Sequence, residues 1–597
     1  MRLVYFFFVL FFSFYARAND FANSDAWLSL LHYQNGVSSI DSENFFLSKD
    51  GKTNAKSELT ATISLFETGK NIDKICLFPA RYILLKKNGL ISAKYPKCDG
   101  LEKFYDDLQP SGVTLLFTDA YMNNPSSLFG HTLLRIDTAR KGTQLLAHGM
   151  NYGAFTAGHE NSVLFAIYGL TGGYYGGFTV KPYYDIINTY NNLENRDIWE
   201  YNLNFSQEEL NFFVAHLWEI GHTQTKYYFF SKNCSYMLTE MLDAVRPSLK
   251  LAAKFPAQTI PLDTIKEVYN TPDLVKSVNY RPSRQQKIIH RQQCMNDKQK
   301  QEFLKIIKED DWSLSSLKDD EKSDVIETAY QFVQYQYVAK NLELAEYRQQ
   351  SFKALRKRQE ISDTAKIKDD WEGKNPIYSH EAMRLAIGAG TRNGNNFQEI
   401  SYRPAYHSLT DNNYGMLKGA EINFLNTAFR HYDDENKWVL QKFDLVGIKS
   451  LSPIDELFKP ISYSVWAGAE RVLNPKTQNE GYVAGIKIGA GGTYAFSENM
   501  WGFAFINNYA GYGGFIPDNA YIGIGTEVGI FTEIKNWRLL SGVEKIFATT
   551  QMFDKVRYKL ETTYSINTNN SMAIEYLYEK NHGKNTNETI FSWRYFF

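Results

Sequence analysis

The sequence predicts a multidomain chain that joins α+β and all-β folds. Its parts are a helical N-terminal unit, an α+β domain, a helical connector and a C-terminal antiparallel β-barrel of about twelve strands. Three observations predict this order. From about Arg384 onward, twelve segments of alternating or Gly-interrupted apolar residues follow one another, the pattern of strands rather than helices. Between residues 109 and 250, apolar strand-like runs alternate with capped helical runs. Residues 296–362 carry long charged helical stretches. The length of 597 residues accommodates this, at roughly 150 residues per domain.

The expected boundaries are 1–18, 19–108, 109–280, 281–380 and 381–597. Residues 1–18 (MRLVYFFFVLFFSFYARA) have a basic start, an apolar run and the small-x-small ending Ala16-Arg17-Ala18. That is the form of a cleaved export signal, and the apolar run falls short of the roughly 20 residues a spanning helix needs. Residues 19–108 hold candidate helices at Ser24–Leu28, with Asp25 as N-cap, and at Ser57–Thr68. Cys76 and Cys98 lie in this unit; in an oxidising compartment they pair, and otherwise they are two buried thiols. In 109–280, Val113–Thr118, Phe129–Ile136 and Gln144–Tyr152 read as strands. Ser206-Gln207-Glu208-Glu209 opens a helix as a capping box, and a further helix runs to Val245. One long helix is expected over 324–355, its charges solvated or, alternatively, facing lipid head groups.

The last third decides where the chain resides. The segments begin near Arg384, Phe397, Leu417, Trp438, Ile461, Tyr482, Met500, Ala520, Trp537, Lys555, Ser571 and Glu588. Period two with one charged face suits a strand between lipid and a wet lumen, and equally one sheet of a soluble sandwich. Residues 381–597 contain 21 of the 39 glycines, which permit the curvature of a closed sheet. Phe591, Trp593, Tyr595 and Phe597 share one face of a final strand. That ending resembles the targeting signal of bacterial outer-membrane barrels, and it implies an outer-membrane location with residues 19–380 in the periplasm.

Cys234 stands where a polar loop becomes a helix. Unsatisfied N–H groups and the helix dipole there favour thiolate, and the polar neighbours Asn233 and Ser235 suggest an exposed sulfur. His131, at the start of a strand beside Gly130, is the candidate base; Asn151 or His148, on the next strand, is the candidate orienter. The alternatives are a Cys234–Cys294 disulfide, a core thiol, or a His131 bonded only to backbone. No metal or cofactor is expected: the His148/His159 and His216/His222 spacings fit no zinc motif. A net charge of -1, from 65 basic and 66 acidic residues, gives no footprint for nucleic acid.

The stretches NNPSSLFGHTLLRID (123–137), NYGAF (151–155), the segment 167–204 and YYFFSKNCSYMLTEMLDAVRPSL (227–249) resemble the bacterial Lnb N-terminal periplasmic domain family. The order of an early-strand His followed by a helix-opening Cys also resembles permuted papain-like thiol hydrolases and acyltransferases. That resemblance implies a Cys234 nucleophile, a His131 base and a third residue at Asn151 or His148. Asn233, Ser126, Asn123 and Tyr174 are expected to contact substrate. Leu170–Gly177 is expected either to shape a cleft or to form a Tyr-packed loop. The implied activity is cleavage or transfer at an amide, ester or thioester of an envelope substrate: a peptidoglycan peptide, a lipoprotein or a lipid. The expected partners are therefore outer-membrane lipid and that substrate. The alternatives are a non-enzymatic assembly or binding factor, and a channel.

Overall fold

A computed structural model describes residues 20–120, 122, 128–140, 144–156, 162–369, 371–434, 436–473, 480–514, 516–581 and 584–597. The expected export signal, Asn123 and Ser126 lie outside the described residues. The chain forms two compact units, Met1–Gly373 and Lys374–Phe597.

The first unit opens with helices α1 (Asp25–Leu30), α2 (Ala55–Thr68), α3 (Ile72–Cys76), α4 (Pro79–Lys87) and α5 (Asp99–Leu108). Ser24, not Asp25, caps α1: its hydroxyl accepts the Trp27 N–H, leaving Asp25 inside the first turn, where its charge complements the helix dipole. A disulfide joins Cys76 to Cys98, the residue that opens α5. Arg81 of α4 is fully buried, pairs with Glu58 of α2, and lies 4.6 and 4.4 Å over the rings of Phe45 and Phe78.

Next comes a seven-stranded sheet: β1 (Pro110–Thr118), β2 (His131–Thr138), β3 (His148–Ala154), β4 (Tyr174–Pro182), β5 (Ile198–Leu203), β6 (Thr225–Tyr227) and β7 (Val275–Arg281). The order is β6-β4-β3-β2-β1-β5-β7, with every neighbouring pair antiparallel. The strand expected over 144–152 begins at His148; Gln144–Leu146 is a 3-10 turn. Helices α6 (Ser162–Thr171), α7 (Tyr183–Ile186), α8 (Gln207–Ile220), α9 (Cys234–Val245) and α10 (Pro261–Asn270) connect or cover these strands. The stretch Leu170–Gly177 holds the end of α6, a tight turn at Gly172-Gly173 packed against Tyr228 and Tyr168 with Gly172 at φ +76, and the start of β4. In α9, every residue except Tyr236 is buried, the charged Glu240 and Asp243 included, and α9 lies against β2.

Helices α11 (Arg284–Cys294), α12 (Asp297–Glu309), α13 (Asp319–Val338) and α14 (Leu344–Gln359) complete the unit. The single helix expected over 324–355 is broken. Lys340 takes φ +60, and a new capping box opens at Glu343 with Glu346. The charged period runs on across the break, so the pattern alone does not mark it.

The second unit is a closed antiparallel barrel of twelve strands. These are β8 (Arg384–Arg392), β9 (Asn395–Arg403, resuming at Ala405–His407), β10 (Ala420–Tyr432), β11 (Lys437–Ser450), β12 (Ser462–Leu473) and β13 (Glu480–Ser497). The remainder are β14 (Met500–Tyr512), β15 (Ala520–Ile534), β16 (Trp537–Ala548), β17 (Lys555–Asn567), β18 (Asn570–Asn581) and β19 (Lys584–Phe596). Pro404 interrupts β9 because it offers no N–H to the ladder. The ring closes where β8 pairs with β19, from Arg384↔Phe596 to Arg392↔Glu588. A closed ring leaves no free edge, the condition for a sheet in hydrocarbon.

The outer wall exposes Ile486, Ile488, Ile506, Ile524 and Val528 between two aromatic belts. Tyr402, Tyr494, Trp537, Trp593 and Tyr595 form the belt at the end where the chain enters; Phe429, Trp438, Tyr482, Tyr512 and Phe547 form the other. The inner wall is charged and paired across strands. Arg430 bonds Glu399 and Glu588 at 2.5 and 2.6 Å, and Arg594 bonds Glu561 and Glu575 at 3.0 and 2.7 Å. Lys487 bonds Glu527 and Glu544 at 2.9 and 2.8 Å. At the entry end, Leu409 returns inward to pack with Leu451, Trp501, Phe503, Phe505 and Phe531. At the far end Val472, Val483, Ile516, Met552 and Phe553 cluster. A polar cavity of about 350 Å³ lies within the barrel.

Candidate active site

Gly130 sets the entry to β2. It sits at φ +85, and a Cβ there would fall 2.9 Å from the Thr118 carbonyl and against the Phe117 ring; glycine is the residue that tolerates both. His131 follows at the strand's first position. Its Nε2 lies 2.7 Å from Asn151 Oδ1 on β3. With Oδ1 as acceptor, Nε2 carries the proton and Nδ1 is left without it; the ring lies close enough to Cys234 for each to shift the other's titration. The Tyr190 ring lies 5.5 Å from the imidazole.

Cys234 is the first residue of α9. Asn233 caps the helix by accepting the Tyr236 N–H at 3.2 Å, and its Nδ2 donates to the Phe229 and Thr259 carbonyls at 2.9 and 2.6 Å. Each polar atom of that amide is thus held by scaffold, so Asn233 positions the helix and does not face substrate. The sulfur is not exposed as its polar neighbours suggested: Cys234 is 5% exposed. Ser235 turns inward to Thr132 Oγ1 at 2.8 Å, which draws the helix start down onto β2. Cys234 and Cys294 are both free thiols, so no bridge blocks the sulfur.

Burial by itself pushes the Cys234 thiol up. The His131 charge and hydrogen bond, with hydrogen bonds from the Thr132 N–H and hydroxyl, overcome it and bring the thiol to about 6. His131 shows the complement: burial pushes it down, and the adjacent sulfur raises it above its ordinary value. Each group thus favours the charged form of the other: the ring favours thiolate at Cys234, and the sulfur favours imidazolium at His131. Burial also raises the hydroxyls of Tyr152, Tyr190 and Tyr227, and the Cys234 charge adds to each. Three phenols therefore stay neutral around the sulfur.

His148 is elsewhere. It is three residues from Asn151 on β3, hence on the opposite face, where burial and Arg140 depress its basicity. Asn151, not His148, reaches the His131 ring. Tyr174 is buried in β4, its ring edge-on to Tyr168 at 5.7 Å. Arg196 bonds Glu194 and the Asp119 and Thr118 carbonyls, and Asp197 bonds Tyr280 and the Ser283 N–H, so this acidic-basic cluster is scaffold. Sequence reasoning missed Thr132 and Tyr190. Adjacency to His131 could have pointed to Thr132; no local pattern marks Tyr190. Beside the site, α6 exposes Leu164, Ile167, Tyr168 and Leu170, and its Gly169 carbonyl accepts the Phe229 N–H at 2.8 Å.

Residues 101–271 match the family model described as the Lnb N-terminal periplasmic domain. Residues 19–88, 278–369 and 373–596 match three models, each described as a domain of unknown function. No curated protein matches the chain. Among solved structures, KdgM porin in complex with disordered oligogalacturonate is 8% identical, covering 36% of this chain and 99% of its own at a TM-score of 0.22. NanC porin is 9% identical over 36% and 99%, at 0.23. A loop-deletion form of OmpT from Vibrio cholerae is 9% identical over 37% and 100%, at 0.20. With scores this low, the barrel stands on its own ladder and belts. A closed lipid-facing barrel together with a periplasmic-domain match makes this an outer-membrane protein with a periplasmic segment.

Proposed function

We propose that the periplasmic segment is a thiol hydrolase or acyltransferase of the papain-like kind, with Cys234 as nucleophile, His131 as general base and acid, and Asn151 holding the ring. The observation that supports it is the buried contact of Cys234, His131 and Asn151, with the thiol brought to about 6. The thiolate attacks an acyl carbonyl carbon, forming the S–C bond. The Cys234 and Ser235 N–H groups at the start of α9, which lack intrahelical partners, receive the oxyanion. Collapse breaks the bond to the leaving group, which takes the proton from His131 and leaves a thioester. Water or an amine then attacks, His131 accepts its proton, and the S–C bond breaks. The apolar side chains on α6 favour an acyl-bearing envelope substrate, a lipid or lipoprotein, over a peptidoglycan peptide.

The test uses the full chain in detergent micelles with p-nitrophenyl esters of fatty acids. The expected result is a burst of about one p-nitrophenolate per chain, with a hydroxylamine-labile acyl mass on Cys234, absent in Cys234→Ser. Folded protein that acquires no adduct, or acquires it at another residue, overturns the proposal.

A further inference from the structure

Among the described residues two buried histidine pairs stack, one in each unit, with ring centroids 5.1 Å apart in both. Their hydrogen bonding differs in a way that has a chemical consequence. In the first unit, His32 Nδ1 lies 3.0 Å from Glu240 Oε2, and His32 Nε2 lies 2.9 Å from His216 Nε2. His32 donates to the carboxylate through Nδ1, so its Nε2 accepts from His216. Two neutral rings satisfy the contact between them, with His216 Nδ1 left without a hydrogen-bond partner.

The second pair does not close this way. His380 Nδ1 lies 2.6 Å from the Glu381 carbonyl oxygen. A carbonyl only accepts, so Nδ1 bears the proton and Nε2 a lone pair. His407 Nε2 lies 3.1 Å from Asn413 Oδ1. The Asn413 amide is oriented by its Nδ2, which donates to Glu533 Oε2 at 3.2 Å. Glu533 is itself paired with Arg538 and Lys418 at 3.0 and 3.6 Å. Oδ1 therefore faces His407, Nε2 bears that ring's proton, and Nδ1 carries a lone pair. His380 Nε2 and His407 Nδ1 are 2.8 Å apart. Two lone pairs meet at hydrogen-bond distance in a buried place, and a positive centre between them is required.

Asp411 supplies a third donor. It is 0% exposed. Its Oδ2 accepts from Arg403 at 2.7 Å and from the Ser408 N–H at 2.8 Å. Its Oδ1 is buried with no hydrogen-bond partner, the Arg594 guanidinium being 3.9 Å away. One donor atom from each of His380, His407 and Asp411 lies within 4.8 Å of the others, the one such trio among the described residues.

We infer that His380, His407 and Asp411 form a divalent-cation site at the chain-entry end of the barrel, with Zn²⁺ the fitting ion. Two imidazole nitrogens and a carboxylate oxygen are zinc ligands. At Zn–N distances of about 2.0–2.1 Å the tetrahedral nitrogen–nitrogen edge is about 3.3 Å, so the rings part by about half an ångström on binding. A shared proton would serve two nitrogens and leave the Asp411 oxygen orphaned; a metal ion satisfies all three. The ligands come from the segment leading into β8, from the end of β9 and from the inward-turning loop after it. The ion would staple that loop into the mouth of the barrel, and no histidine spacing in the sequence announces it.

The test uses tag-free full chain, folded in detergent micelles, stripped with EDTA, loaded with Zn²⁺ and desalted. Elemental analysis should give about one zinc per chain, falling at least about fivefold in His407→Gln and in Asp411→Asn but not in His32→Gln. Heat-modifiable gel migration reports that each variant remains folded. Should the variants fail to fold, Co²⁺ loading of the wild type decides: intense tetrahedral d–d bands support the site. A weak octahedral spectrum overturns it, as does folded wild type that retains no zinc; either result assigns the buried contact to a proton.

Discussion

The barrel lumen and the Cys234 pocket both bury charge, and they do so on opposite principles. In the lumen several charges are held twice over: Arg430 by two carboxylates, Lys487 by two more, Arg594 by Glu561 and Glu575. Redundant pairing holds strand to strand and keeps those groups from changing state cheaply. In the pocket a single thiol of depressed pKa faces a single imidazole, oriented by one amide and ringed by neutral phenols. Sparse compensation makes each of those groups responsive. Charge density alone thus marks a scaffold, whereas a lone, minimally compensated pair marks reactivity.

The comparison breaks first at its strongest expected effect. Arg430→Ala leaves Glu399 without a cation and Glu588 with Arg392 alone, at 3.6 Å, and should cost the barrel about 3–5 kcal/mol, read as earlier unfolding in urea with micelles. If the loss is under about 1 kcal/mol, the lumen is better hydrated than its pairing implies.

His131→Ala should slow iodoacetamide labelling of Cys234 about 100-fold at pH 7, as the thiol returns from about 6 toward its ordinary value near 9. In the wild type the depressed thiol is ionised above about 6 and reprotonates as the pH falls through that value. Labelling should therefore rise with pH to a plateau near neutrality, whereas in the variant it should still be climbing at pH 8. Identical profiles would remove the contrast between pocket and lumen.

Asn233→Ala removes a cap and two carbonyl contacts, and should lower stability of the first unit by about 1–2 kcal/mol in thermal denaturation. The smallest effect sharpens the pocket's limits. Asn151→Ala should slow labelling about fivefold, the worth of one hydrogen bond of about 1 kcal/mol, while His148→Ala should leave it unchanged. The reverse ranking would exchange their roles.

What the sequence displayed follows from how local each cause is. The barrel strands show themselves because alternation is a nearest-neighbour property, and the first of the twelve expected segments begins at Arg384, where β8 begins. The position of Cys234 at a helix start was legible because Asn233, a capping residue, stands next to it. Its burial was not. Glu240 and Asp243 give α9 the look of a half-exposed helix, yet both are buried, Asp243 accepting the Leu251 and Ala252 N–H groups and Glu240 bonding His32 and Ser39. Distant partners cancel the polarity that local reading counts. Asn151 and His148 could not be separated from spacing, because the choice depends on which face of β3 meets the end of β2. His380, His407 and Asp411 gather only when the loop after β9 turns inward, an event with no periodicity.

The pairing of β19 with β8 has a consequence for biogenesis. The ring has no partial solution: until β19 arrives, β8 and β18 each present a bare edge that lipid cannot accommodate. Everything ahead of β8, including the Cys234 pocket and the Cys76–Cys98 disulfide, precedes in chain order the strand that closes the anchor. The order of the polypeptide thus lets the chemistry mature before the molecule is committed to its membrane.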